Sequence, residues 1–298
     1  MSPPVLHLKI DLDTDVGTRE GVPSLLRILD RHQARATFFV SLGPDNSGKA
    51  IWRVFRRRGF LAKMLRTNAP GMYGMRTMMY GTLLPAPRIG ARCLAELRQI
   101  PRSGHEVGLH AWDHVAWHDH LDEWTDGQAR SEYDRGWAAF SELFGRAPSS
   151  VAAPGWTATP ASLAIHDARG LAYASDGRGD RPFLPTMGGR AFLTPQVPTT
   201  LPTLDEALGR DSITRENFAA RVLALLKPGH LNVFGGHGEA EGRGYQTEFE
   251  ALLSGARSAG WDLEALDKAP LKDPPRFELL RREIPGRSGL VALQGGAA

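Results

Sequence analysis

Short apolar strands alternate with helical segments from residue 5 to residue 259, and this alternation constrains the chain more than any other feature. Val5–Leu12 reads as a buried strand, Leu25, Leu26, Ile28 and Leu29 mark a helix, and residues 36–41 (Ala-Thr-Phe-Phe-Val-Ser) read as a second strand rich in β-formers. Residues 89–100 read as helix, 106–109 as strand, 124–144 as a long amphipathic helix and 151–153 as a short strand. Pro160–Arg169 is a helix opened by the Thr159 cap with Pro160 in its first turn. Residues 173–175 and 231–234 complete the strands, and 215–226 and 245–259 the helices, with a loop-rich stretch over 177–204. This order predicts an α/β fold built on a parallel sheet, open or closed into a barrel. The main domain is expected over residues 1–270. A tail rich in Pro, Arg and Gly (271–298) is expected to wrap over the surface.

In such folds chemistry collects in the loops at the carboxyl ends of the strands. Asp11 and Asp13 follow the first strand, and in extended geometry residues two apart share a face, so both carboxylates point into one site. The segment His105-Glu-Val-Gly-Leu-His-Ala-Trp-Asp-His follows another strand, and five of the ten histidines lie between residues 105 and 120. One helical turn would put His110 and His114 on one face toward a common ion, with Asp113 or Glu106 as a supporting partner. His237 ends a late strand behind two glycines and is placed for proton transfer, with Glu239 and Glu241 beside it. Asp176 and Arg178 follow a further strand, where the carboxylate can fix the His237 ring and the guanidinium can balance carboxylates or clamp a phosphate. Trp156 also ends a strand and is a candidate wall for a sugar-sized cleft.

Charge is unevenly spread. The formal net charge is +3, yet residues 46–95 contain ten Lys and Arg and no Asp or Glu, which leaves the rest of the chain at −7. That basic stretch also holds five of the seven methionines and several aromatics, Trp52, Phe55 and Phe60 among them, close to Arg56 and Arg57. Guanidinium groups meet phosphates while rings and thioethers enter the acyl boundary, so the stretch reads as a membrane-contact insert; an Arg-rich solvated face and a nucleic-acid surface are the competing readings. No uninterrupted run of about 18 apolar residues exists, so no bilayer span is expected. The first twelve residues show no signal-peptide pattern, so the protein is expected in the cytoplasm, at most lying on a membrane. A single cysteine, Cys93, excludes an intramolecular disulfide framework and a Cys-rich zinc module.

Asp-x-Asp after the first strand, His-x-x-x-His after a middle strand and a late strand ending in His resemble the polysaccharide deacetylase (NodB-homology) family. Within it, Gly17-Thr-Arg-Glu-Gly-Val-Pro, Gly43-Pro-Asp-Asn, the His105–His114 string, Thr200-Leu-Pro-Thr and Gly209-Arg-Asp are similar to a branch of deformylases. Those enzymes act on a formamido-arabinose carried on undecaprenyl phosphate. The resemblance implies a distorted (β/α) barrel of NodB-homology type, here with a basic amphipathic insert. It implies one divalent metal ion (zinc first, with cobalt, manganese or iron as alternatives) held by Asp13, His110 and His114. Asp11 would be the general base and His237, supported by Asp176, the general acid. The implied reaction releases formate and leaves the 4-amino-4-deoxy-L-arabinose lipid used for lipid A modification, at the cytoplasmic face of the inner membrane. Deacylation of another N-acyl sugar and a non-catalytic lipid-binding relative are the alternatives, and no nucleic-acid partner is expected. One departure stands out: the family's base-orienting arginine falls where this chain reads Ala152-Ala153-Pro154. Arg178 is expected to take over that task.

Overall fold

The computed structural model describes residues 3–52, 74–287 and 289–296. Its strands are β1 (Val5–Leu12), β2 (Thr37–Ser41), β3 (Glu106–Ala111), β4 (Ser150–Val151), β5 (Tyr173–Ala174), β6 (Leu184–Met187), β7 (Arg190–Ala191), β8 (Val233–His237), β9 (Asp262–Glu264), β10 (Arg276–Glu283) and β11 (Leu290–Gln294). Among the described residues β5-β4-β3-β2-β1-β8 run side by side, and β9 pairs with the first residues of β1. Every pairing in this seven-stranded sheet is parallel, as alternation of strands and helices requires.

Alternation within the strands sorts the side chains into two environments. Leu6, Leu8, Ile10 and Leu12 of β1 and Phe38 and Val40 of β2 face outward onto the helices and belong to the large core. The opposite face lines the inside of the curved sheet, where Phe39, Ala152, Tyr173, Val197, Leu231, Val233 and Leu266 form a second apolar cluster. An irregular segment closes the gap between β5 and β8: the Val197 amide donates to Ala174 and the Leu201 amide to Val233, at 2.8 and 3.1 Å. The result is a distorted α/β barrel, as expected.

Polar groups inside the barrel are arranged in layers. At the amino end Glu106 accepts hydrogen bonds from Thr37, Ser150 and Tyr173, at 2.5–2.9 Å, so a half-buried carboxylate holds four strands together. Above it Phe39 fills the middle, and a Cβ at Gly108 would lie 2.6 Å from its ring, which accounts for glycine in the His-Glu-Val-Gly-Leu-His string. The top layer, at the carboxyl ends, is the candidate site.

The outlying elements differ from expectation. Residues expected as tail form β10 and β11, an antiparallel pair joined by β10 to β6 in a second, four-stranded sheet. The expected helix over 89–100 is broken at Cys93 into Ile89–Arg92 and Leu94–Arg102. Of the proposed membrane-contact residues, Phe55, Arg56, Arg57 and Phe60 lie outside the described residues, as does the side chain of Trp52. Among the described residues no helix is long and apolar enough to cross a membrane.

Candidate active site

Strand register assembles the site. Asp11 pairs with His237 across β1 and β8, and with Phe39 across β1 and β2. On β3 the register slips by one residue: Leu109 faces Val40 but Ala111 faces Ser41, so His110 is the extra residue of a bulge. Such a bulge re-aims a side chain at the rim of a barrel. Here it accompanies a ring whose Nε2 lies 3.3 Å from Asp13 Oδ1.

His114 reaches the same carboxylate from a different element. It is the first residue of the helix His114–His120, whose amino end is capped by Asp113 accepting from the Ala116 amide at 3.0 Å. Its Nε2 lies 3.3 Å from Asp13 Oδ2. The two histidines therefore converge through a strand, a short turn and a helix start, and not on one helical turn as their spacing suggested. The supporting partner of His110 is also different from either candidate. Nδ1 lies 2.7 Å from the Ala152 carbonyl. A carbonyl can only accept, so Nδ1 carries the hydrogen and a neutral ring turns its Nε2 lone pair toward Asp13.

These donors fit a cation. One ligand atom from each of Asp13, His110 and His114 lies within 4.8 Å of the others. Among the described residues no hydrogen bond satisfies the buried Asp13 Oδ1, which faces the imidazole nitrogen. Two electron-rich atoms turned toward each other in a buried site are what a divalent ion would bridge. The rings and carboxylates also act on one another through charge. Burial works against an ionised Asp13, but the charges of His114, His110 and His237 outweigh it and hold the carboxyl well below its usual range. Burial likewise favours neutral His110, and the Asp11 and Asp13 carboxylates overcome it and raise the ring's pKa.

The neighbouring carboxyls behave in the opposite way. Glu239 and Glu241 are both buried, and burial pushes both up, Glu241 to about 7. Glu241 Oε2 accepts from the His237 amide at 2.7 Å and so fixes the end of β8. Glu239 accepts from Thr14 at 3.4 Å and ties the loop after β8 to the loop after β1. Those loops touch backbone to backbone: a Cβ on Gly21 would stand 2.1 Å from the Gly238 carbonyl oxygen. The Gly43-Pro-Asp-Asn string braces the same rim, Asp45 accepting from the Asp15 amide and Asn46 donating to Asp113.

Three expected roles are corrected. Arg178 does not serve Asp11; its guanidinium is paired with Glu206 at 3.1 Å, on the wall of a 410 Å³ cavity shared with Thr200 and Arg210. The cation at Asp11 is Lys9, whose Nζ lies 3.5 Å from Oδ2. Asp176 is completely buried and is held by Gln196 and His166, at 3.0 and 3.3 Å, and these two, not His237, are its partners. Trp156 is only 5% exposed, with the guanidinium groups of Arg178 and Arg287 packed over its ring, so little of the indole is left to face a sugar. Lys9 and His166 were not singled out from the sequence. Lys9 had a signal, as a charged residue on the same strand face as Asp11 in an otherwise apolar strand; the partnership of His166 depends on tertiary contact alone.

Comparison with known proteins gives the family and the fold. Residues 9–174 match the model of the polysaccharide deacetylase family, and the chain belongs to that family. A relative from Shewanella sediminis (strain HAW-EB3), bearing the name 4-deoxy-4-formamido-L-arabinose-phosphoundecaprenol deformylase, is 41% identical over 96% of this chain and 93% of its own length. One of the same name from Wigglesworthia glossinidia brevipalpis is 32% identical over 94% and 98%. In fold, the chain resembles the crystal structure of a protein from Mycobacterium smegmatis assigned as a polysaccharide deacetylase. The TM-score is 0.62 at 17% identity, over 95% of this chain and 99% of the other.

The raised pKa of Glu241 makes stability depend on pH. In the folded chain Glu241 keeps its proton to about pH 7, against an ordinary value of 4.5. Its contribution is therefore fully present below about pH 4.5 and is lost as pH rises toward 7, by about 3 kcal/mol at most. Glu241→Gln removes this loss. Its melting temperature is expected to gain on that of the unmodified protein from pH 5 to about pH 7 and to level off above, whereas a constant offset from pH 5 to pH 7 contradicts the assignment.

Proposed function

We propose that the protein is a metal-dependent hydrolase that removes the formyl group from 4-deoxy-4-formamido-L-arabinose carried on undecaprenyl phosphate. The observation that carries this reading is the joint presence, at one end of one barrel, of the Asp13–His110–His114 donor set and the Asp11–His237 pair. The substrate is the one named for relatives that match this chain over nearly its whole length.

Asp13, His110 and His114 would hold a single divalent ion; zinc suits one carboxylate and two imidazoles, as do cobalt, manganese and iron(II). The chemistry such an ion supplies is Lewis acidity, which polarises an amide carbonyl and makes a nearby water acidic enough to react near neutral pH. Asp11 is the general base. Its Oδ2 is held by Lys9 and its buried Oδ1 has no hydrogen-bond partner among the described residues, which leaves an acceptor for the proton of the attacking water. The water oxygen bonds to the formyl carbon, and the carbon–nitrogen bond then breaks. His237, opposite Asp11 in the register, gives a proton to the departing sugar nitrogen, so that one water and one formamide become formate and a free amine. Glu241 and Glu239 hold the His237 loop against the loop after β1 while adding little negative charge, because burial favours their protonated forms.

The lipid tail sets where the reaction takes place. Withdrawing an acyl chain from a bilayer costs about 0.8 kcal/mol per CH₂, so an enzyme acting on the sugar head comes to the membrane. The basic insert, with Trp52, Phe55, Arg56, Arg57 and Phe60, provides the contact, and the absence of acidic residues over 46–95 suits anionic headgroups at the cytoplasmic face of the inner membrane.

Two experiments test this reading. Formate release from the lipid-linked formamido sugar, with the acetamido analogue as control, is expected for the metal-loaded protein and to fall by about a thousandfold in Asp11→Asn. Release of acetate in preference to formate contradicts the proposed substrate, and full activity in Asp11→Asn contradicts the proposed base. Charge reversal at Arg56 and Arg57 is expected to weaken sedimentation with phosphatidylglycerol vesicles by at least about 30-fold, at about 1 kcal/mol per basic residue. Unchanged sedimentation would refute the role of the insert.

A further inference from the structure

Lys9 is 1% exposed, and an ammonium buried to that extent needs partners for its charge and for its hydrogens. The structure supplies them from three strands. Nζ lies 3.2 Å from the Ser175 carbonyl and 3.5 Å from the Ser175 hydroxyl, just past β5, and 3.5 Å from Asp11 Oδ2 on β1. The Phe39 ring of β2 lies under the ammonium, 5.2 Å from its centroid. The side chain is thus confined by packing along its stem and by bonds at its tip. Its aim at Asp11 follows from strand geometry, because residues two apart on β1 share the inner face.

The consequence falls on Asp11. A carboxylate has two similar oxygens, and a side chain free to rotate presents either of them. Here Oδ2 is engaged by Lys9 while Oδ1 is buried with no hydrogen-bond partner among the described residues. Arg178 is unavailable for the same task, since it is paired with Glu206. Asp176 is held by Gln196 and His166, so Asp11 is the carboxylate in ion-pair contact with Lys9.

We infer that Lys9 is the positioning residue for Asp11: its ammonium anchors Oδ2 and so fixes Oδ1 as the oxygen that accepts the proton. This rests on Asp11 being the general base, as proposed above. Lys9 touches no reacting atom, and the carboxylate at ion-pair distance from it is Asp11. The predicted signature is a loss in turnover without a loss in substrate binding or in metal content.

The test is steady-state formate release by the full-length, metal-loaded chain in four variants, with metal content measured on each. Lys9→Met is expected to lower kcat by about 100-fold, the scale of a misplaced catalytic group, with KM within about threefold and one ion per chain retained. Lys9→Arg, which keeps the charge and the donors, is expected to recover to within about tenfold of the original rate. Adding Lys9→Met to Asp11→Asn is expected to cost less than about threefold more, because a residue acting only through Asp11 has nothing left to position. Lys9→Gln, which keeps a donor toward Ser175, replaces Lys9→Met in the comparison if the latter melts below the assay temperature. The inference is overturned if Lys9→Met keeps kcat within about threefold, if Lys9→Arg is no better than Lys9→Met, or if the double variant loses activity multiplicatively. Full activity in Asp11→Asn overturns the reading of Asp11 itself, whereas an inactive Asp11→Asn beside an active Lys9→Met overturns only the role of Lys9.

Discussion

A parallel strand buried on both faces ordinarily carries apolar residues on both, because a charge placed there loses its hydration. β1 breaks that pattern on one face only. Leu6, Leu8, Ile10 and Leu12 pack outward against the helices, while His7, Lys9 and Asp11 point into the barrel and Asp13 stands just beyond its rim. Each inward polar group is compensated by a different neighbour: His7 by the Ala265 carbonyl, Lys9 by Ser175 and Asp11, Asp13 by the two imidazoles. The candidate chemistry is therefore built on a strand paired along both edges, and the surrounding strands supply the partners that let it be buried.

Two features keep those partners in place. The segments after β1 and β8 approach at glycines, where a side chain at Gly21 or Gly238 would collide with backbone, so the two segments pack directly against each other. Around them the carboxyl groups divide into two kinds. Asp13, flanked by imidazoles, is held ionised, whereas Glu239 and Glu241, buried against other carboxyls, are pushed toward the neutral form. A site with this many acids is tolerable because only some of them carry charge.

Much of this was legible in the sequence, and the exceptions have physical reasons. The limits of β1 and of Pro160–Arg169 read correctly because local signals agree: an apolar run ending in carboxylates, and a Thr cap followed by proline. The His110 and His114 pair was legible from residue type and spacing, and Asp13 only through the family resemblance; the two rings do not meet on one helical turn, since His110 lies on a bulged strand and His114 on a helix. β10 went unread because its Arg- and Glu-rich residues are half exposed and show no clean alternation. Arg178 pairs with Glu206 and Asp176 with His166 of the preceding helix, so the assumption that residues following different strand ends all meet in one site misled. Lys9 was overlooked because its anchor, Ser175, is 166 residues away.

Asp13, His110 and His114 would hold one divalent ion, with Asp11 outside its ligand set. Anomalous diffraction from crystals of the cobalt-loaded protein addresses this directly. The predicted result is a single peak per chain bonded to Asp13, His110 Nε2 and His114 Nε2, with Asp11 still paired to Lys9. A peak elsewhere, or an Asp11 that has left Lys9 to join the ion, would contradict it.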